Sequence, residues 1–151
     1  MNRLCKTVIA ASAFSILAAV SATAGPVEER KELMKTVVKS LKLSIKMVKG
    51  EMPYDAAVAA AAMQTIHEVP DKYIKLFPED SDIHPETTAS PKIWQDMKGF
   101  LEKAEDLKVA SAKTKDAASQ GVDAFKAVLF GELVKTCKGC HETYRIKKEK
   151  N

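Results

Sequence analysis

Between Val122 and Tyr144, apolar and thiol residues recur every three or four positions: Val122, Phe125, Leu129, Leu133, Cys137, Cys140 and Tyr144. Residues at that spacing share one face of an α-helix, so the stripe predicts an amphipathic helix from about Val122 to Lys147. The cysteines on its buried face restrict the fold further. Whatever packs against this helix must accommodate Cys137 and Cys140 one helical turn apart, with His141 directly after the second.

The run Cys137-Lys138-Gly139-Cys140-His141 has the C-x-x-C-H spacing by which haem is attached covalently. Two thiols one turn apart add to the two vinyl groups of the macrocycle, and the adjacent imidazole reaches the iron. Other uses of the two cysteines fit less well. A thioredoxin-type dithiol accompanies a βαβ pattern, and no strand-like alternation is present. A structural zinc site takes four ligands, and His67 and His84 lie far from the motif without ligand spacing. A disulfide across so short a loop stabilises little. The expected cofactor is therefore a single covalent haem c, with Cys137 and Cys140 as thioether ligands and His141 as proximal axial ligand.

The N-terminus agrees with that chemistry. Arg3 and Lys6 precede an uncharged apolar stretch, Val8 to Val20, and Ala22-Thr23-Ala24 is an A-x-A cleavage site. This is the anatomy of a secretory signal peptide over residues 1–24, with the mature domain at 25–151. The apolar stretch is shorter than the ~20 residues of a spanning helix, so the expectation is export to the periplasm without stable membrane insertion. Cleavage removes Cys5 and leaves Cys137 and Cys140 as the only thiols. The formal net charge of +4 includes Arg3 and Lys6, so the mature chain is close to neutral. That excludes the strongly basic face of a nucleic-acid binder. Arg145, Lys147, Lys148 and Lys150 form a local positive cluster. Paired carboxylates near a plausible pocket, a nucleophile–base pair and a glycine-rich phosphate loop are all missing, so the sequence gives no sign of an enzyme.

Three further helices precede the last. The first spans about Val27 to Lys49, with Val27, Met34, Leu41 and Val48 every seven residues and Val38 and Ile45 between them. Gly50 and Pro53 end it. The second opens on Asp55 as N-cap, runs through an alanine-rich stretch and stops at Pro70. Residues Asp71 to Ala89 read as a long connection. Ser90 and Pro91 open the third helix, which carries Ile93, Met97, Phe100, Leu101, Ala104 and Leu107 and ends between Ser111 and Ser119. The expected fold is all-α, an antiparallel four-helix bundle with covalently bound haem in its core.

The chain resembles the class II cytochromes c, the cytochrome c′ and low-spin cytochrome c-556 type. The matching runs are Arg30-Lys31-Glu32-Leu33-Met34, Gly50-Glu51-Met52-Pro53-Tyr54-Asp55-Ala56-Ala57, Leu76-Phe77-Pro78, Ser90-Pro91-Lys92-Ile93-Trp94 and Cys137 through Arg145. The resemblance covers nearly all of Val27 to Lys148. The resemblance implies that Arg30 and Arg145 lie near the propionates or haem edge, and that Trp94 and Tyr144 pack at the haem crevice. Read as residues alone, Arg30 also suits an exposed helix position, and Trp94 and Tyr144 suit an ordinary core.

Met34 separates the branches of that family. It follows Arg30 by four residues and so shares its helix face. The resemblance implies that this position faces the open side of the iron. Methionine there implies a six-coordinate, low-spin His/Met iron suited to electron transfer with periplasmic redox partners. A non-ligating residue would imply the alternative, a five-coordinate cytochrome c′ that binds small gases such as NO. Methionine is also a common core filler. Either branch is compatible with a monomer or a homodimer.

Overall fold

The computed structural model describes residues 25–82 and 84–147. Their α-helices are α1 (Pro26–Val48), α2 (Ala56–Tyr73), α3 (Lys92–Gln95), α4 (Met97–Ala117), α5 (Val122–Val128) and α6 (Val134–Tyr144). A π-helical turn, Leu129–Leu133, joins α5 to α6 as one continuous rod. The long elements form the expected four-helix bundle: α1, α2, α4 and the α5–α6 rod. The expected signal peptide lies outside the described residues. None of the described helices is long and apolar enough to cross a membrane.

The helix ends follow local chemistry. Pro26 sits at the first position of α1, and Glu28 and Glu29 occupy its positive end. At its other end Gly50 takes φ +73°. Its N–H bonds the Met47 carbonyl and that of Glu51 bonds Lys46, a Schellman closure for which glycine carries no Cβ penalty. Asp55 caps α2 through one carboxylate oxygen, which accepts from the N–H groups of Ala57 at 2.8 Å and Val58 at 3.0 Å. Asp55→Ala should cost about 1 kcal/mol of stability, read as a lower denaturant midpoint with an unchanged slope.

Three expectations about the elements are corrected. Pro70 does not stop α2, which continues to Tyr73 and then into a 3₁₀ turn, Ile74–Leu76. Near a helix end proline removes a single backbone bond, and Val69 and Pro70 are both buried. The third helix is two pieces, because Asp96 at φ −138°, ψ 55° breaks α3 from α4 and caps the latter. The last helix ends at Tyr144, three residues early. Arg145 is extended and pairs with Ala89 in an antiparallel bridge. The Ser90 N–H donates to the Tyr144 carbonyl at 3.0 Å and the Ile146 N–H to the Thr88 carbonyl at 2.8 Å, so the chain leaves the helix for those partners.

The π turn has a geometric reason. Phe125, Leu129, Leu133 and Cys137 are successive four-residue steps, and each overshoots an α-turn of about 3.6 residues. The wider turn takes up the drift. Phe125, Leu129 and Leu133 therefore all stay fully buried, with Cys137 and Cys140 half-buried beyond them.

Two apolar clusters result. The larger joins Val37 and Met47 of α1, Ala59, Met63 and Ile66 of α2, Ala110 of α4, and Phe125, Leu129 and Leu133. Alanines on α2 let α4 approach it closely. Val38 and Leu101, expected on the stripes, are 47% and 41% exposed; Val37 takes the buried place on α1, and Phe100, also expected on its stripe, is buried. The smaller cluster, at the α6 end, consists of Phe77, Ile93, Phe100 and Tyr144.

Candidate haem site

The smaller cluster is where the C-x-x-C-H turn meets the rest of the chain. Cys140 packs against it, as do Tyr73, Trp94 and Met97. Its rings meet edge to face, the favoured aromatic geometry. Phe100 lies 5.5 Å from Tyr144 and 4.8 Å from Phe77, and Phe77 lies 5.8 Å from Trp94 and 5.1 Å from Tyr73, centroid to centroid. The Trp94 indole N–H donates to the Pro78 carbonyl at 3.1 Å.

Arg30 reaches this cluster from α1. It is only 5% exposed, and its guanidinium carbon stands 4.5 Å above the Phe77 ring centroid. One terminal nitrogen donates to the Ser81 carbonyl at 3.2 Å, and Nε donates to the Pro26 carbonyl at 3.3 Å. The other terminal nitrogen is buried and has no hydrogen-bond partner among the described residues. Burial pushes the Arg30 pKa down, against the opposing pull of Tyr73 and Glu28. A buried, unsatisfied N–H on a charged group costs free energy, and a bound carboxylate would remove that cost.

Cys137 and Cys140 are free thiols. Burial raises both pKa values, and for Cys140 the neighbouring Cys137 adds to the shift. Both therefore stay protonated near neutral pH. His141 follows on the outer side of α6. The protein around its ring, and then the charge of Arg145, lower its pKa, so the imidazole keeps a lone pair for a metal. α6 packs on α4 and α3, and α1 packs on α2 and α5, while α1 and α6 do not pack closely on each other. The donor set and the unsatisfied guanidinium fit a macrocycle that carries carboxylates.

Cys140, Tyr144, Trp94 and Arg30 thus share one cluster. Met34 does not belong to it. It is half-buried and packs against the larger core, one turn along α1 from Arg30. Arg145 is exposed beside Ala89. Sequence reasoning missed Tyr73 and Phe100 as members of the cluster around Cys140 and Asp96 as the partner of Tyr144. Phe77, in the run Leu76-Phe77-Pro78, is a buried member of the same cluster. The Tyr144 hydroxyl donates to Asp96 at 2.7 Å. That bond, and then the Gly99 N–H, hold the Asp96 carboxyl below its usual pKa, while Tyr144 is pushed up to about 12.

Comparison with known proteins gives one consistent result. A family model described as Cytochrome C' matches residues 25–145. A cytochrome c' of Rhodopseudomonas palustris is 35% identical over 127 residues, covering 81% of this chain and 82% of that one. A cytochrome c-556 of Agrobacterium fabrum is 35% identical over 147 residues, covering 95% and 97%. A solved structure of cytochrome c' from Rhodopseudomonas palustris superposes with a TM-score of 0.77 at 30% identity, covering 84% and 100%.

Proposed function

The chain belongs to the cytochrome c′ family, whose members carry a covalent haem c, and we propose that it is a periplasmic, low-spin electron-transfer cytochrome. Members of this family act as electron carriers or bind small gases. Cys137 and Cys140 would hold the haem as thioethers, and His141 and Met34 would supply the ligands to its iron. Arg30 offers its free N–H to a propionate. Trp94 and Tyr144 wall the crevice and exclude water, and Arg145 lies at its rim. Bound haem supplies an iron that gains and loses one electron, with a potential set by its axial ligands and surroundings. Residues 1–24 direct export and are removed.

The observation that carries this reading is a methionine, half-buried on α1, one turn from an arginine with an unsatisfied buried nitrogen. A thioether beside imidazole favours ferrous iron and raises the potential. The contacts of Met34 with the larger core favour the second reading, an open iron that binds gas. Carbon monoxide separates the two. The reduced protein should bind it slowly and incompletely, because a ligand must first leave. Fast, complete binding would favour the open site.

Arg145 and Lys147 are exposed next to the haem-bearing turn; Lys148 lies outside the described residues. Together they suit an acidic redox partner. Electron-transfer rates should then fall about tenfold as salt rises from low to physiological strength. A Lys147→Glu, Lys148→Glu variant should lose most of that dependence. Rates insensitive to salt would remove the docking assignment.

A further inference from the structure

One side-chain hydrogen bond ties the last turn of α6 to the start of α4. The Tyr144 hydroxyl donates to the Asp96 carboxylate at 2.7 Å, between the last residue of α6 and the break that starts α4. The same carboxylate caps α4 by accepting from the Gly99 N–H at 3.2 Å. The bond passes directly over Gly99. A Cβ there would meet the Tyr144 hydroxyl at 2.5 Å and the Asp96 carboxylate at 2.6 Å, so a glycine is what lets the pair close. The Tyr144 ring packs edge to face on Phe100, and its backbone carbonyl is bonded by the Ser90 N–H. Tyr144 is thus fixed at ring, hydroxyl and backbone.

His141 stands three residues before Tyr144 and Cys140 four, on the same helical turn. We propose that Asp96 and Tyr144 are positioning residues: closed over Gly99, they set the orientation in which α6 presents His141. The proposal rests on the haem-site reading above. A bond to an ionised acceptor is about twice as strong as a neutral one, and the end of α6 has no other side-chain tie of this kind among the described residues. Without it the last turn of α6 is held only by the Tyr144 ring and backbone carbonyl, and the imidazole samples more than one orientation.

The test uses the haem-loaded protein and two variants. Tyr144→Phe keeps the ring and removes the bond. Gly99→Ala keeps both partners and forces them apart. Ferric haem-methyl NMR shifts and the reduction potential are recorded, because both report the axial imidazole. Both variants should move the haem-methyl signals in the same direction, and the double variant should go little further than either one, as expected for one shared interaction. Tyr54→Phe is the control. It removes a hydroxyl bond to the Ala118 carbonyl of 2.7 Å in the larger core, and should lower stability while leaving the haem signals in place. Haem-loaded Tyr144→Phe with wild-type signals and potential, whatever its stability, would overturn the positioning role alone. A wild-type chain without covalent haem on a denaturing gel would overturn the site reading and the proposal together.

Discussion

Replacing both Cys137 and Cys140 with serine should abolish covalent haem altogether. Wild-type protein should keep its haem through denaturing electrophoresis and show a mass raised by one haem, whereas the double variant should show the bare polypeptide. The reason is chemical. A serine hydroxyl does not replace the thiol in forming a thioether, and no third thiol remains among the described residues. Either single replacement should leave one thioether and a weaker attachment. The loss also reaches the fold. A haem held by the two thiols would pack against the aromatic cluster that Cys140 touches. A vacated space lined by apolar side chains costs contacts that are only partly recovered by relaxation. The variant should therefore unfold at lower denaturant concentration. Covalent haem surviving in the double variant would show that attachment lies elsewhere.

Met34→Leu should change the iron without changing the fold. The swap nearly conserves apolar volume and should cost less than about 1.5 kcal/mol. Removing the sulfur should nevertheless turn a low-spin spectrum into a high-spin, five-coordinate one. Carbon monoxide binding should become fast and complete. The potential should fall, because the thioether that favours ferrous iron is gone. An unchanged low-spin spectrum would point to another ligand. The structure ranks the remaining candidates poorly. Met47 is buried in the larger core at 2% exposure, His67 is held through Nδ1 by the Lys108 carbonyl at 3.0 Å, and His84 is exposed.

How much of this was legible in the sequence depended on whether a residue's partners were local. The C-x-x-C-H motif was legible because its chemistry fixes the spacing, and the caps at Asp55 and Gly50 because each acts on its own helix end. The break at Asp96 was not, since Ile93, Met97 and Phe100 carry an unbroken helical period across it. The π turn was hidden for a related reason: four-residue steps from Phe125 to Cys137 are consistent with an ordinary helix until their drift is followed over several turns. Pro70 misled because its local effect is real but small where tertiary burial holds Val69 and Pro70 in place. The Asp96–Tyr144 pair joins residues far apart in the chain and left no pattern in either segment.

The absorption spectrum of the purified wild-type protein, oxidised and then reduced, tests the central claim most directly. A His141–Met34 iron held by Cys137 and Cys140 predicts low-spin spectra in both states. A high-spin ferric spectrum in the wild type would contradict it, removing Met34 from the iron and leaving a gas-binding cytochrome c′ in place of the electron carrier.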